Sequence, residues 1–141
     1  MKWFKTSVNI RTEGPGLYPI TQDISSLIRD WGLQEGMLHL FIQHTSASLV
    51  INESYDPSAR VDMEEFMRRL APENQGWYRH VMEGADDSPS HLKSMITPVN
   101  LSIPVDGGKL SLGTWQGIYL FEHRRHRQNR TVLVRGLDVK E

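Results

Sequence analysis

Residues 37–53 read MLHLFIQHTSASLVINE. The segment from Met37 to Ile42 is apolar and long enough for a buried strand. From His44 to Glu53 the side chains then include an imidazole, hydroxyls, an amide and a carboxylate. An unpaired polar group in a protein interior costs about 1–3 kcal/mol, so we expect these groups to bind one another, a ligand or water. The stretch therefore predicts a buried strand that leads into one wall of a polar pocket.

Before and after this stretch, the N-terminal half alternates strands with helices. Residues from Lys2 to Thr12 alternate between apolar and polar, which is typical of a half-exposed strand. Thr21 is a predicted helix N-cap, and Gly32 is the predicted end of that helix. Asp56 and Pro57 are a favoured helix start. The second helix is expected to bury an apolar stripe made of Ala59, Met63, Phe66, Met67 and Leu70.

The C-terminal half is richer in strands. A long loop is predicted from Glu73 to Ser90, followed by a short helix that carries His91 and Lys93. Glycines near position 107 predict a hairpin turn, and the final core strand is expected at residues 131–134. Strands with two main helices and then a strand-rich half indicate one α+β domain over residues 1–141, with a mostly antiparallel sheet.

Composition narrows the classes of function. The 141 residues contain no Cys, so disulfides, thiolate metal sites and Cys nucleophiles are excluded. A net charge of −1 gives no general attraction to nucleic acid or to a membrane surface. The N-terminal residues lack the apolar core of a signal peptide, and no apolar run approaches the ~18 residues of a membrane helix. We therefore expect a cytoplasmic protein with neither a nucleic-acid nor a membrane partner.

Histidines suggest a metal site as one interpretation. His44, His80 and His91 come from three polar breaks in the chain, and catalytic zinc commonly takes three protein ligands and a water. The alternative is that each is a hydrogen-bonded structural residue. His123 and His126 lie in an arginine-rich loop and are expected to be solvated.

Carboxylates offer a second possible cation site. Glu53, Asp62, Asp86 and Glu122 lie beside partly apolar segments, and Mg²⁺ prefers carboxylates together with a bound phosphate. Asp62 falls on the margin of the second helix's apolar stripe, which makes it the most inward-leaning carboxylate of that helix. The alternatives are that Asp86 turns the chain, as does Asp87, and that Glu122 pairs with an arginine.

The basic loop, from Glu122 to Arg130, provides a candidate anion site. Arg124, Arg125, Arg127 and Arg130, together with Lys93, could clamp a phosphorylated ligand by paired hydrogen bonds. The alternative is a solvated loop without a ligand. Before any family resemblance is considered, the residues predict a pocket of histidines and carboxylates for a small anionic metabolite.

Several motifs in order resemble the secondary thiamine-phosphate synthase family of the YjbQ type. They are His44-Thr45-Ser46-Ala47, Asn52-Glu53, Asp56-Pro57, Glu83-Gly84-Ala85-Asp86-Asp87, Ser90-His91-Leu92-Lys93-Ser94 and Gly113-Thr114-Trp115-Gln116. The resemblance runs over nearly the whole chain. It implies a compact α+β domain that assembles as a homotrimer. It also implies a transferase that joins hydroxymethylpyrimidine diphosphate to thiazole phosphate, giving thiamine phosphate and pyrophosphate.

The resemblance also implies roles for particular residues. The catalytic set is His44, Glu53, Asp62 and His91. The predicted substrate-binding set is Asn52, Lys93, Thr114, Trp115, Gln116 and Glu122 from the resemblance, with Arg124 and Arg130 added from the basic loop, where this chain departs from the family. Mg²⁺ on Glu53 or Asp62 would then assist the leaving diphosphate, and Trp115 would stack on the pyrimidine. Many relatives carry a Gly-Pro-Arg-like segment where this chain has Glu122-His123-Arg124-Arg125, which leaves open the arginine that binds the anion.

Two other functions remain open from the sequence. One is a metal-dependent hydrolase of a small phosphorylated or acylated metabolite, with Zn²⁺ on His44, His80 and His91. The other is a trimer that binds a metabolite without catalysis.

Overall fold

A computed structural model describes residues 1–141. The elements are β1 (Lys2–Thr12), β2 (Gly16–Pro19), α1 (Thr21–Trp31), β3 (Gly36–Ile42), β4 (Ala47–Glu53), α2 (Pro57–Leu70), α3 (Asp87–Ile96), β5 (Asn100–Asp106), β6 (Lys109–Leu110), β7 (Gln116–Glu122) and β8 (Gln128–Asp138). None of the helices is long and apolar enough to cross a lipid bilayer.

The strands form two sheets. The larger has the order β1-β8-β3-β5-β6 and the smaller has the order β2-β7-β4. Every strand pair is antiparallel. The predicted α+β class with a mostly antiparallel sheet is confirmed, and α3 is the predicted short helix that carries His91 and Lys93.

The main core lies between the larger sheet, α1 and one face of the smaller sheet. On β3, Leu38, Leu40 and Ile42 are buried, whereas His39 and Phe41 face solvent, because successive side chains on a strand point to opposite faces. Strand β7 is buried on both faces, since its other face joins a second apolar cluster with α2. This double burial fits its position as the middle strand of the smaller sheet.

The helix ends follow the predictions at two of three positions. Gly32 ends α1 in the left-handed conformation, and Asp56 caps α2 by accepting the Ser58 N–H ahead of Pro57. The prediction for Thr21 is wrong. Ile20 is the N-cap of α1, and the Thr21 hydroxyl instead accepts the Ile118 N–H at 2.9 Å. Thr21 therefore fastens α1 to β7.

The apolar stripe predicted for α2 is only partly buried. Met67 is buried, but Phe66 and Leu70 are 61% and 52% exposed. Helical spacing identifies an apolar side, but the width that is covered depends on the neighbouring elements, and α2 packs mainly against the smaller sheet. Asp62 is also exposed, so its predicted inward-leaning position is wrong.

A glycine at the start of β3 gives a test of this sheet. A Cβ at Gly36 would lie 1.8 Å from the carbonyl oxygen of Leu137 in β8. That obstacle is backbone and cannot rotate away, so we expect Gly36→Ala to lower the free energy of unfolding by about 1–3 kcal/mol in urea titrations. Gly76→Ala is the matched control, because its added Cβ would meet nothing within 4 Å. Equal urea midpoints for the two variants would contradict the register of β3 and β8.

Candidate functional site

A buried ion pair lies where β7 ends and β8 begins. Glu122 is fully buried and Arg130 is 4% exposed. Arg130 Nε donates to Glu122 Oε1 at 2.7 Å, and one terminal nitrogen donates to Oε2. The Thr12 hydroxyl donates to Oε1 at 2.6 Å, and the backbone N–H groups of His123 and Arg124 donate to Oε2. Glu122 therefore holds Arg130 and the chain after β7, and these donors occupy the oxygens that were predicted to bind substrate.

Arg130 in turn fixes the start of the polar stretch before β4. A terminal nitrogen donates to the Ser46 hydroxyl at 2.9 Å and to the Ser46 carbonyl at 3.2 Å. His44 lies beside the same guanidinium, and its Nε2 accepts the Thr131 N–H at 2.9 Å. Burial lowers the pKa of His44, the Arg130 charge lowers it further, and Glu122 opposes both. His44 is therefore held as a neutral imidazole.

Three side chains on and beside α3 could hold a metal ion. His80 Nε2 lies 2.6 Å and His91 Nε2 lies 3.1 Å from Asp87 Oδ2. The three possible ligand atoms all lie within 4.8 Å of one another. His91 Nδ1 donates to the Thr45 carbonyl at 2.8 Å, so in the neutral ring Nε2 carries the lone pair that a metal ion would need. Histidine ligands of metals are commonly oriented by such a bond from the second ring nitrogen.

Local sequence explains part of this cluster. Asp87 and His91 are four residues apart in α3, so their side chains share one face of the helix. Arg124 donates to Asp87 Oδ1 and, from Nε, to Asp86 Oδ2 at 2.9 Å. Burial alone would raise the pKa of Asp86, but hydrogen bonds from the Arg125 N–H and from Arg124 lower it overall. Arg124 is thus a positioning residue for the two aspartates.

The cluster differs in one member from the predicted metal triad. His80 and His91 converge as expected, whereas His44 Nε2 is occupied by the Thr131 N–H. The third group is Asp87, which the sequence suggested only as a turn former. The spacing of four residues between Asp87 and His91 could have identified Asp87. This spacing brings two side chains together only in a helix, and Asp87 was assigned to the preceding loop.

Other predicted site residues lie at the far end of β4 and β7. Ala47 pairs with Glu122, whereas Glu53 pairs with Gln116. Seven-residue strands place these two ends about 20 Å apart. Asn52, Glu53, Thr114, Trp115 and Gln116 are therefore distant from the histidine cluster within one chain. Trp115 is 56% exposed and packs edge-on against Tyr55, with ring centroids 4.7 Å apart.

Lys93 belongs to a different cavity. It lies two residues from His91, about 200° around α3, and lines a cavity of about 590 Å³ with Glu64, Phe121 and Arg125 among its walls. Burial lowers the pKa of Lys93, while the charges of Glu73 and Asp86 oppose this shift and that of Arg68 adds to it. The structure therefore separates Lys93 from the predicted catalytic histidines.

His123 was expected to be solvated, and this expectation is wrong. It is 3% exposed, and its Nε2 lies 2.9 Å from the Ser48 hydroxyl. Burial, with the charges of Lys93 and Arg130, lowers its pKa to about 3. The buried run of β7 continues through His123, whereas His126 is exposed as predicted.

Two open grooves border His44. One, of about 420 Å³, is lined by Phe41, Val99 and Arg130 among others. The other, of about 650 Å³, is lined by Thr45 and His91 among others. Because both include His44 and Thr45, the histidine cluster and the Arg130 guanidinium face neighbouring parts of one surface.

Comparison with known sequences gives a family. A sequence model described as "UPF0047 protein YjbQ-like" matches residues 6–138. The "UPF0047 protein YjbQ" of Escherichia coli O157:H7 is 43% identical over 132 residues, which cover 93% of this chain and 95% of that protein. The "UPF0047 protein sll1880" of Synechocystis is 41% identical over 125 residues, which cover 89% of this chain and 85% of that protein.

Solved structures give the same fold. The conserved hypothetical protein TT1486 from Thermus thermophilus matches with a TM-score of 0.84 and 32% identity, covering 94% of this chain and 99% of that one. The hypothetical protein APE1520 from Aeropyrum pernix matches with a TM-score of 0.87 and 30% identity, covering 96% of this chain and 98% of that one. These names give a family and name no reaction.

The buried ion pair can be tested by stability. Glu122→Ala leaves the Arg130 charge buried without its partner, so we expect a loss of about 3–5 kcal/mol in the free energy of unfolding. Glu13→Ala is the control, because it breaks an exposed pair with Arg127 and should cost about 1 kcal/mol or less. Urea titrations measure both. Similar losses for the two variants would show that Arg130 finds another partner.

The buried His123 predicts a pH dependence. Its pKa is about 3 in the folded protein and near 6.5 in the unfolded chain, so the unfolded chain binds more protons between these values. The contribution of His123 to the free energy of unfolding is fully present above about pH 6.5. It falls as the pH decreases, by up to about 1.4 kcal/mol per pH unit. Urea titrations at about pH 7 and about pH 5 should show this loss in wild type and a loss smaller by about 2 kcal/mol in His123→Phe. Equal pH dependence in both proteins would contradict the buried neutral state.

Proposed function

This chain belongs to the UPF0047 protein YjbQ-like family, and from that premise we propose that it couples hydroxymethylpyrimidine diphosphate with thiazole phosphate at a metal centre formed by His80, Asp87 and His91. The products are thiamine phosphate and pyrophosphate. One observation carries the proposal, namely that three ligand atoms from three side chains converge within 4.8 Å.

The chemistry of the donors fits a divalent ion. Two imidazoles and one carboxylate leave open positions for oxygens of a diphosphate. When bound, the ion would stabilise the negative charge that develops on the leaving diphosphate. Within the chain, the Thr45 carbonyl orients His91 and Arg124 orients Asp87, so both ligands are held before any substrate binds.

The same donors favour Zn²⁺ over Mg²⁺. Imidazole suits zinc, whereas Mg²⁺ prefers oxygen ligands and retains water. The Mg²⁺ set predicted from Glu53 or Asp62 has less support, because Asp62 is exposed and the Glu53 carboxylate accepts the Asp56 N–H at 3.1 Å. This donor set supports a second candidate, a zinc-dependent hydrolase of a small phosphorylated or acylated metabolite.

The predicted site residues form two separate groups within one chain, and this separation supports a role for a second copy of the chain. Trp115 lies just before the start of β7, and the metal candidate lies near the other end of that strand, about 20 Å further along. This separation keeps Trp115 from stacking on a substrate held by the metal candidate within one chain. We propose a homotrimer in which the Trp115 end of one copy approaches the histidine cluster of its neighbour. We also propose a cytoplasmic location, which a cysteine-free sequence suits.

The decisive variant is His80→Gln. His80 has a half-exposed side chain, so its loss should remove a metal ligand with little effect on folding. We expect wild type to release pyrophosphate from the two thiamine precursors once loaded with Zn²⁺ or Mn²⁺. We expect His80→Gln to lower kcat/KM by at least about 100-fold. His39→Gln is the matched control. His39 is exposed on the face of β3 that points away from the core, so its replacement should leave turnover unchanged.

The outcomes separate the candidates. Pyrophosphate release that needs both precursors and is lost in His80→Gln supports the synthase. Hydrolysis of one phosphorylated or acylated substrate, lost in the same variant, supports the zinc hydrolase. Turnover that survives in His80→Gln contradicts the metal centre. Metabolite binding without turnover in wild type contradicts both enzymes and favours the binding trimer.

A further inference from the structure

His44 lies between two hydrogen-bond donors. The backbone nitrogen of Thr131 lies 2.9 Å from Nε2, and a terminal nitrogen of Arg130 lies 3.3 Å from Nδ1. Both nitrogens direct an N–H at the ring. A neutral imidazole has one N–H and one lone pair, and a protonated imidazole has no lone pair. The ring can therefore accept only one of these two hydrogen bonds.

The geometry assigns the lone pair to Nε2. The 2.9 Å distance is usual for a hydrogen bond from N–H, whereas 3.3 Å is longer than the usual range. The Thr131 N–H belongs to the backbone of β8, one step beyond the last pair of β3 with β8, and it cannot turn away. Nδ1 of His44 therefore carries the proton and faces the Arg130 N–H.

Arg130 cannot relieve this contact by moving. Its Nε and one terminal nitrogen are held by Glu122 and Ser46, and the side chain is 4% exposed. The remaining terminal nitrogen has His44 as its sole partner in the protein. Because His44 Nδ1 carries a proton, this Arg130 nitrogen is a buried cationic donor without an acceptor. Proteins rarely leave such a donor unsatisfied.

We propose that Arg130 and His44 form an oxyanion-binding site, in which one oxygen of a phosphate or carboxylate accepts from the free Arg130 nitrogen and from His44 Nδ1–H. Such an acceptor converts a repulsive contact between two donors into two hydrogen bonds, one of them charge-assisted. The site opens into the groove of about 420 Å³ that His44 and Arg130 help to line.

The groove also indicates the rest of the ligand. Phe41, Ile42 and Val99 give it apolar walls, whereas Gln43, Thr45 and Ser46 are polar. A small molecule with one oxyanion and a partly apolar body matches this lining. The site rests on hydrogen-bond geometry alone and does not require the metal centre proposed above.

The test uses protein stripped of metal with a chelator, so that phosphate cannot bind through an ion. Inorganic phosphate and acetate are titrated separately at low ionic strength, and binding is followed by calorimetry and by the ¹⁵N resonances of the His44 ring. We expect protonated Nδ1 and unprotonated Nε2 in the free protein. We expect the Nδ1 resonance to move on titration with phosphate, with acetate or with both, which also distinguishes the two oxyanion classes.

Variants separate this site from the general basic surface. His44→Leu should weaken anion binding at least tenfold, whereas His39→Leu should leave it within twofold. Arg127→Gln removes a charge from an exposed position of the same basic loop and should also leave binding within twofold. Far-UV circular dichroism and thermal unfolding check that each variant is folded.

Several results would overturn the site. They are a His44 ring protonated on Nε2, a ring resonance that neither anion moves, and equal binding by wild type and His44→Leu. If His44→Leu does not fold, the ring resonances of wild type decide alone. Loss of phosphate binding in His44→Leu together with normal turnover by the metal-loaded enzyme would support the site and show that the reaction does not use it.

Discussion

The buried pair of Glu122 and Arg130 is the interaction on which the rest of the site depends. Glu122 ends β7 in the smaller sheet and Arg130 lies in β8 of the larger sheet, so the pair ties the two sheets together. A buried carboxylate and guanidinium are tolerable only when nearly every polar atom is paired. The pair meets this condition by recruiting Thr12, Ser46 and two backbone N–H groups. The ends of β1, β4, β7 and β8 are therefore fixed relative to one another.

The segment that follows β7 extends this order to α3. Arg124 bridges Asp86 and Asp87 at the start of that helix, and the Ser90 hydroxyl donates to the His123 carbonyl at 2.9 Å. The basic loop is thus divided between residues that neutralise buried acids and residues that face water, such as His126 and Arg127. Its charge balances local carboxylates, which agrees with a chain whose net charge is close to zero.

The histidine cluster and the His44–Arg130 contact lie near one end of β7. The Thr45 carbonyl accepts from His91 of the cluster, and the Thr131 N–H donates to His44 beside Arg130. The proposed cation site and the proposed anion site border adjacent grooves, so together they would suit two parts of one phosphorylated ligand. The aromatic and amide groups near Trp115 lie at the other end, where their distance of about 20 Å is set by the length of β7. A shared site between the two ends needs a second copy of the chain.

The sequence by itself determined the helices and several of the strands, because periodicity and end signals are local, whereas β2 had no such signal. Alternation along β1, the caps at Asp56 and Gly32, and the change from apolar to polar side chains after Ile42 were all readable within a few residues. It also identified His80, His91, Arg124 and Arg130 as residues of interest. Only the tertiary structure decided their partners. His44 and Arg130 are 86 positions apart, and Ser48 and His123 are 75 positions apart, so their contacts depend on strand register and sheet order. No local pattern encodes which buried donor meets which acceptor across such separations, and for that reason Asp87 as a metal-site residue and His123 as a buried residue became visible only in the folded chain.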